Sequence, residues 1–174
     1  IIFLKEFSKE YNLKKKDILI ILSNEKIFNQ IKISNKILIK DFEKTYNLII
    51  NHMFIHEDHH SFKDEFNDID GSYISKFSNI DNSSYIGKNC VIGRGVKIGK
   101  NCIIKNNVTV KNTYINDNVI ICDNSVIGGT GFGFDLKNMG ARNLTPQIGI
   151  VFVDSNVLIG SCCTVDRGKI DQTF

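Results

Sequence analysis

"SYIGKNCVIGRGVKIGKNCIIKNNVTV", residues 84–110, decides the fold. An aliphatic side chain returns every six positions, at Ile86, Ile92, Ile98, Ile104 and Val110. Helices repeat every 3.6 residues and strands every 2, so neither explains a period of six. The column extends outward in both directions. Ile74 and Ile80 precede it, and Ile115, Ile121 and Ile127 follow after one step of five residues. It then breaks, and resumes at Val153, Ile159 and Val165. Two residues before each member stands a small or β-branched side chain, as at Ser84, Cys90, Val96, Cys102 and Val108. Gly87, Gly93, Gly99, Gly128 and Gly160 follow directly after members, and Asn and Asp fill many remaining slots.

Two inward positions flanking one outward residue make a very short strand, because side chains alternate with period two. Gly, Asn and Asp supply the bends, since they tolerate positive φ. A short strand and a bend every six residues build a prism with parallel sheets for faces, the parallel β-helix class of hexapeptide repeats. Three hexapeptides close a coil of about 18 residues, which stacks Ile74 under Ile92 under Val110. In this frame Cys90, Cys102 and Cys163 occupy the small inward slot as packing residues, and Cys122 and Cys162 fall in turns.

The region in front has a different grammar. Over residues 1–60, "FLKEFSKEYNL" spaces Phe3, Phe7 and Tyr11 as one helix face. "DILIILS" and "NKILIK" read as strands, and "EKIFNQIK" as a short helix. "DFEKTYNLIINHMFIHE" reads as a longer amphipathic helix with Asp41 as its N-cap. Together they predict a small α/β domain. Residues 61–72, "SFKDEFNDIDGS", are polar and acidic and read as a linker to a β-helix over 73–174.

Composition narrows the function classes. A net charge of +3, with lysines spread along the chain, is too mild for a nucleic-acid footprint. No run of 18 apolar residues is present, so no integral membrane span is expected. The start, interrupted by Lys5 and Glu6, is not a signal peptide. Five cysteines without a CxxC pair argue against zinc or thioredoxin chemistry and, without a secretory signal, point to a cytoplasmic location. The chain begins at Ile1 rather than Met and stops within "DRGKIDQTF", so a fragment incomplete at one or both ends is expected.

The break at 128–152 carries the most specific sequence. It reads as a loop excursion from the solenoid; its glycines, GxGxG, lack the helix and βαβ unit of a dinucleotide fingerprint. "VIGGTGFGF", a polar excursion, then "TPQIGIVFVDSNVLIGSCCTVDRG" resembles the UDP-3-O-(3-hydroxyacyl)glucosamine N-acyltransferases of lipid A biosynthesis. That family has an IG-x-DGFGF turn, a PQ-x-G return and a TIDRG rung. The segments "DILIILSNEKIF" and "NKILIKDFEKTYNLIINHMF" look more weakly like its uridine-binding domain, shortened.

The resemblance implies a left-handed β-helix, a homotrimer with active sites in clefts between subunits, and acyl carrier protein and a UDP-sugar as partners. The implied reaction moves a 3-hydroxyacyl chain from acyl carrier protein to the amine of a UDP-acylglucosamine. A base takes the amine proton, for which histidine is suited at neutral pH, and backbone donors hold the oxyanion. Three departures accompany the likeness. The family's catalytic histidine follows the DRG motif and would lie beyond Phe174, so no catalytic residue is assigned within the chain. Thr130 stands where the family has Asp. The five-residue step from Val110 to Ile115 falls where the family carries a Tyr-His pair.

Phe132 and Phe134 either fold the excursion back on the solenoid wall or line an acyl or pantetheine groove. Arg167 either holds a turn through a carboxylate or meets a phosphate. His52, His56, His59 and His60 cluster on the long helix, read as its polar flank; a zinc site is the alternative. No metal and no resident cofactor are expected. Two rivals stay open: an acetyl-CoA-dependent nucleotide-sugar acetyltransferase, and a noncatalytic β-helix used for trimerisation or binding.

Overall fold

The computed structural model describes residues 2–4, 20–30, 35–62, 64–133 and 145–174. The chain divides into two compact units, Ile1–His52 and Met53–Phe174.

The first unit contains strands β1 (Ile2–Leu4), β2 (Ile20–Leu22) and β3 (Lys36–Leu38), paired in parallel in that order. Helix α1 (Glu25–Gln30) joins β2 to β3. Asn24 caps it by accepting the Lys26 N–H at 3.0 Å. Helix α2 (Phe42–Phe62) begins at Asp41, whose Oδ1 accepts the Lys44 N–H at 3.0 Å, so the expected N-cap is in place. Residues 2–4 differ from expectation. Phe3 pairs with Ile21 in an extended parallel strand, because tertiary pairing overrides the local helical spacing. Phe7 and Tyr11 lie outside the described residues. Among the described residues, no helix is long and apolar enough to cross a membrane.

The second unit opens with an antiparallel hairpin of β4 (Phe66–Ile69) and β5 (Ser72–Ser75). The stretch read as a linker thus carries a strand. Asp70 and Gly71, at φ 50° and 79°, form the two-residue turn, since both central residues of such a turn take positive φ. All four residues of β4 are exposed, which removes the apolar alternation that would have marked it.

The remaining strands are two to four residues long. They are β6 (Asn79–Ile80), β7 (Tyr85–Ile86), β8 (Val91–Ile92), β9 (Lys97–Ile98), β10 (Ile103–Ile104), β11 (Thr109–Val110), β12 (Thr113–Ile115), β13 (Ile120–Ile121), β14 (Val126–Gly129), β15 (Ile150–Val153), β16 (Leu158–Ile159), β17 (Thr164–Asp166) and β18 (Gln172–Thr173). Each pairs in parallel with the strand three places along. Three stacked sheets result, ordered β16-β13-β10-β7, β17-β14-β11-β8-β5-β4 and β18-β15-β12-β9-β6. The molecule is mainly β, and this arrangement is compatible with a parallel β-helix. Register follows the aliphatic column: Ile74 to Ile92 to Val110 to Ile127 to Val165 on one face. The five-residue step is absorbed at Asn112, a corner with φ 45°. The excursion leaves the register on the β12 face intact, since Ile115 pairs directly with Val153, while the register shifts between Ile127 and Gly129 where it begins.

Inward residues from Cys90 to Val153 form one buried core, while Ile74, Ile80, Ile86, Val157, Ile159 and Val165 at the two ends are only partly buried. Eight corners place one residue at positive φ three positions after the column. These are Asn89, Asn101, Asn107, Asn118, Asn124, Asn156, Gly95 and Cys162. Asparagine recurs because its short amide tolerates the left-handed region.

Candidate functional site

The three distinctive motifs meet where the excursion is rooted. At Gly128 the chain takes φ +79°, and a Cβ there would lie 1.5 Å from the Lys111 carbonyl oxygen. Only glycine fits. The return strand is clamped to the DRG turn: Gly149 N donates to Gly168 O at 2.9 Å, and Ile148 N to Lys169 O at 2.9 Å. Arg167, 6% exposed, donates from Nε to Gly149 O at 2.6 Å, and its backbone N–H donates to Gly129 O at 2.9 Å. Gln147 reaches the outgoing limb, where its Oε1 accepts the Gly131 N–H at 3.2 Å. Thr145 N closes the root by donating to Gly133 O at 2.8 Å. The GFGF turn, the PQIG return and the DRG turn therefore form one hydrogen-bonded cluster.

Beside this cluster lies a groove of about 370 Å³ on the outer face of β8, β11 and β14. Its floor is Val91, Thr109 and Val126, the outward residues of those strands, and Phe66 of β4 adds an apolar wall. The corner positions Gly93, Lys111 and Gly128 form one side, with Arg94, Gly129, Thr130 and Arg167. Arg94 stacks its guanidinium 3.6 Å from the Phe77 ring centroid, which fixes its direction. Asp64 is the carboxylate in the lining, and it accepts a hydrogen bond from Ser75 Oγ at 2.7 Å. An apolar floor with a cationic margin suits an amphipathic anionic ligand.

Of the residues singled out from sequence, Arg167 is buried between the excursion root and the groove. Phe132 is 84% exposed. Phe134 lies outside the described residues. All four histidines fall within α2, where His52 is exposed; the side chains of His56, His59 and His60 lie outside the described part. Arg94 and Lys111 were missed. Their slots carried no distinguishing signal, since Lys105 stands in the same position after the column as Lys111.

The inward cysteines do more than fill space. Ser72 Oγ donates to Gly87 O at 2.7 Å and accepts the Cys90 N–H at 2.9 Å. Cys90 Sγ repeats the donation one coil on, to Lys105 O at 2.9 Å, and Cys102 Sγ donates to Asn116 O at 3.0 Å. Burial pushes the Cys90 thiol above its ordinary range, so it is a structural donor and not a nucleophile.

Comparison with known proteins agrees with this geometry in part. A family model described as the GMPPB C-terminal domain matches residues 70–135. A UDP-3-O-acylglucosamine N-acyltransferase of Leptospira biflexa serovar Patoc is 46% identical over 50 residues, covering 29% of this chain and 14% of that protein. The enzyme of that name from Methylacidiphilum infernorum gives the same values. The one from Francisella tularensis subsp. holarctica is 47% identical over 51 residues, with 29% and 15% covered. The aligned part is thus about one seventh of the length of these relatives. Over that part, the chain is similar to the UDP-3-O-acylglucosamine N-acyltransferases.

Proposed function

We propose that the chain is part of an N-acyltransferase of lipid A biosynthesis. It would move a 3-hydroxyacyl group from acyl carrier protein to the amine of a UDP-acylglucosamine. The observation that carries this reading is the single cluster of GFGF, PQIG and DRG turns beside a groove, on a chain similar to enzymes of that name. In the reaction the amine nitrogen attacks the thioester carbonyl, the C–S bond breaks and the thiol leaves, while a base takes the ammonium proton. The base in this reading is a histidine beyond Phe174. Phe132 and Phe134 face the acyl or pantetheine portion, and Arg167 holds the root of the excursion. A left-handed sense for the coils, a homotrimer with clefts between subunits, a uridine-binding role for the first unit and a cytoplasmic location belong to the same proposal.

The test is direct. Protein from the full reading frame, incubated with 3-hydroxyacyl-acyl carrier protein and UDP-3-O-acylglucosamine, is expected to give the amide product by mass spectrometry. Folded protein that makes no amide from this donor, or that uses acetyl-CoA instead, would overturn the proposal.

A further inference from the structure

The groove beside β8, β11 and β14 gathers basic side chains along its margin. Arg94, Lys111 and Arg167 line it against a single described carboxylate, Asp64. Neither Arg94 nor Lys111 forms an ion pair with a carboxylate among the described residues. Both are positioned along the same margin. Arg94 lies over Phe77, and Lys111 runs across the corner at Gly93, where an added Cβ would stand 3.2 Å from its Cγ. Thr109, on the floor, offers a hydroxyl from the coil that carries Lys111. Like charges gathered in a partly enclosed, partly apolar groove raise the local potential and attract an anion.

We infer that this groove is a phosphate subsite. Arg94 and Lys111 grip the phosphate oxygens at its mouth, above the floor of Val91, Thr109 and Val126. The assignment rests on the acyl-transfer reading for the identity of the ligand, since both substrates of that reaction carry phosphate esters: the diphosphate of the sugar nucleotide and the phosphopantetheine arm of the carrier. A planar guanidinium and a mobile ammonium together suit a tetrahedral group with several oxygens.

Equilibrium binding, read without turnover, tests it. The probes are UDP, 4′-phosphopantetheine and inorganic phosphate, each titrated into the intact protein. Saturable, salt-sensitive binding of UDP or of phosphopantetheine is expected, and whichever binds identifies the source of the phosphate. Lys111→Ala and Arg94→Ala should each weaken binding about tenfold, as loss of a charge-assisted hydrogen bond implies. Lys111→Arg should restore most of the affinity, and Lys88→Ala, at an exposed lysine outside the groove lining, should leave it unchanged. Unaltered affinity in both Lys111→Ala and Arg94→Ala would overturn the subsite. Equal weakening by Lys88→Ala, or no saturable binding of any probe, would do so too. Should Arg94→Ala lower the melting temperature by exposing Phe77, Lys111→Glu provides an independent variant. Acyl transfer with unchanged KM in Lys111→Ala would refute the subsite alone. Phosphate binding through Lys111 in a protein that transfers no acyl group would refute the reaction alone.

Discussion

Cys162 occupies a corner that asparagine fills in most other turns. Its φ is 56°, and its side chain is exposed. A side chain without a local hydrogen-bonding amide is strained there by about 1–2 kcal/mol, and asparagine relieves part of that cost. Cys162→Asn is therefore expected to raise the unfolding free energy by about 0.5–1 kcal/mol. Denaturant titration of both proteins measures it, and an unchanged or lower midpoint would contradict the strain argument. The inward slot shows how far residue-level pattern reaches. That Ser and Cys exchange there is visible in the sequence at Ser84, Cys90 and Cys102. The reason they exchange is a hydrogen bond across the coil, from Ser84 Oγ to Gly99 O at 2.7 Å and from Cys102 Sγ to Asn116 O at 3.0 Å. Spacing reveals size and polarity; it does not reveal which carbonyl a buried donor will meet.

Among the corner elements, two glycines share nearly the same backbone and differ in surroundings. Gly95 has φ +73° and open space where a Cβ would go; Gly128 has φ +79° and the Lys111 carbonyl in that place. Gly95→Asn should cost less than about 1 kcal/mol, because asparagine accepts this φ and meets nothing. Gly128→Ala should cost more than about 3 kcal/mol, since strain and overpacking act together. Thermal melts of the pair decide it, and similar losses for both would contradict the close approach at Gly128. The core strands were legible because each presents one inward aliphatic residue in strict period. Strand β4 was not legible, since its pairing is set by the Asp70–Gly71 turn rather than by apolar alternation. Strand β1 was hidden for a related reason. The spacing of Phe3 with Phe7 and Tyr11 mimics a helix face, and only the partner at Ile21 reveals the extended form.

In the whole molecule each coil touches only its neighbours, so stability accumulates along the stack. Column residues in the middle are fully buried, as at Ile92, Val110 and Ile127, while Ile159 and Val165 are only partly covered. Hydrogen exchange should accordingly be slowest in β8, β11 and β14 and faster in β16 and β17. Uniform protection along the stack would argue against this graded picture. The groove belongs to the same scale and could not be read from local pattern. Gly93, Lys111 and Gly128 are 17 or 18 residues apart in sequence and meet because they turn the same corner one coil after another. Arg167 and Gly149 are likewise joined across 18 residues. Neighbouring parallel strands stand about 4.8 Å apart, so this corner is graduated like a ruler, one mark per coil. Whatever lies along it is measured in fixed steps. Changing the side chain at one mark leaves the other marks where they were.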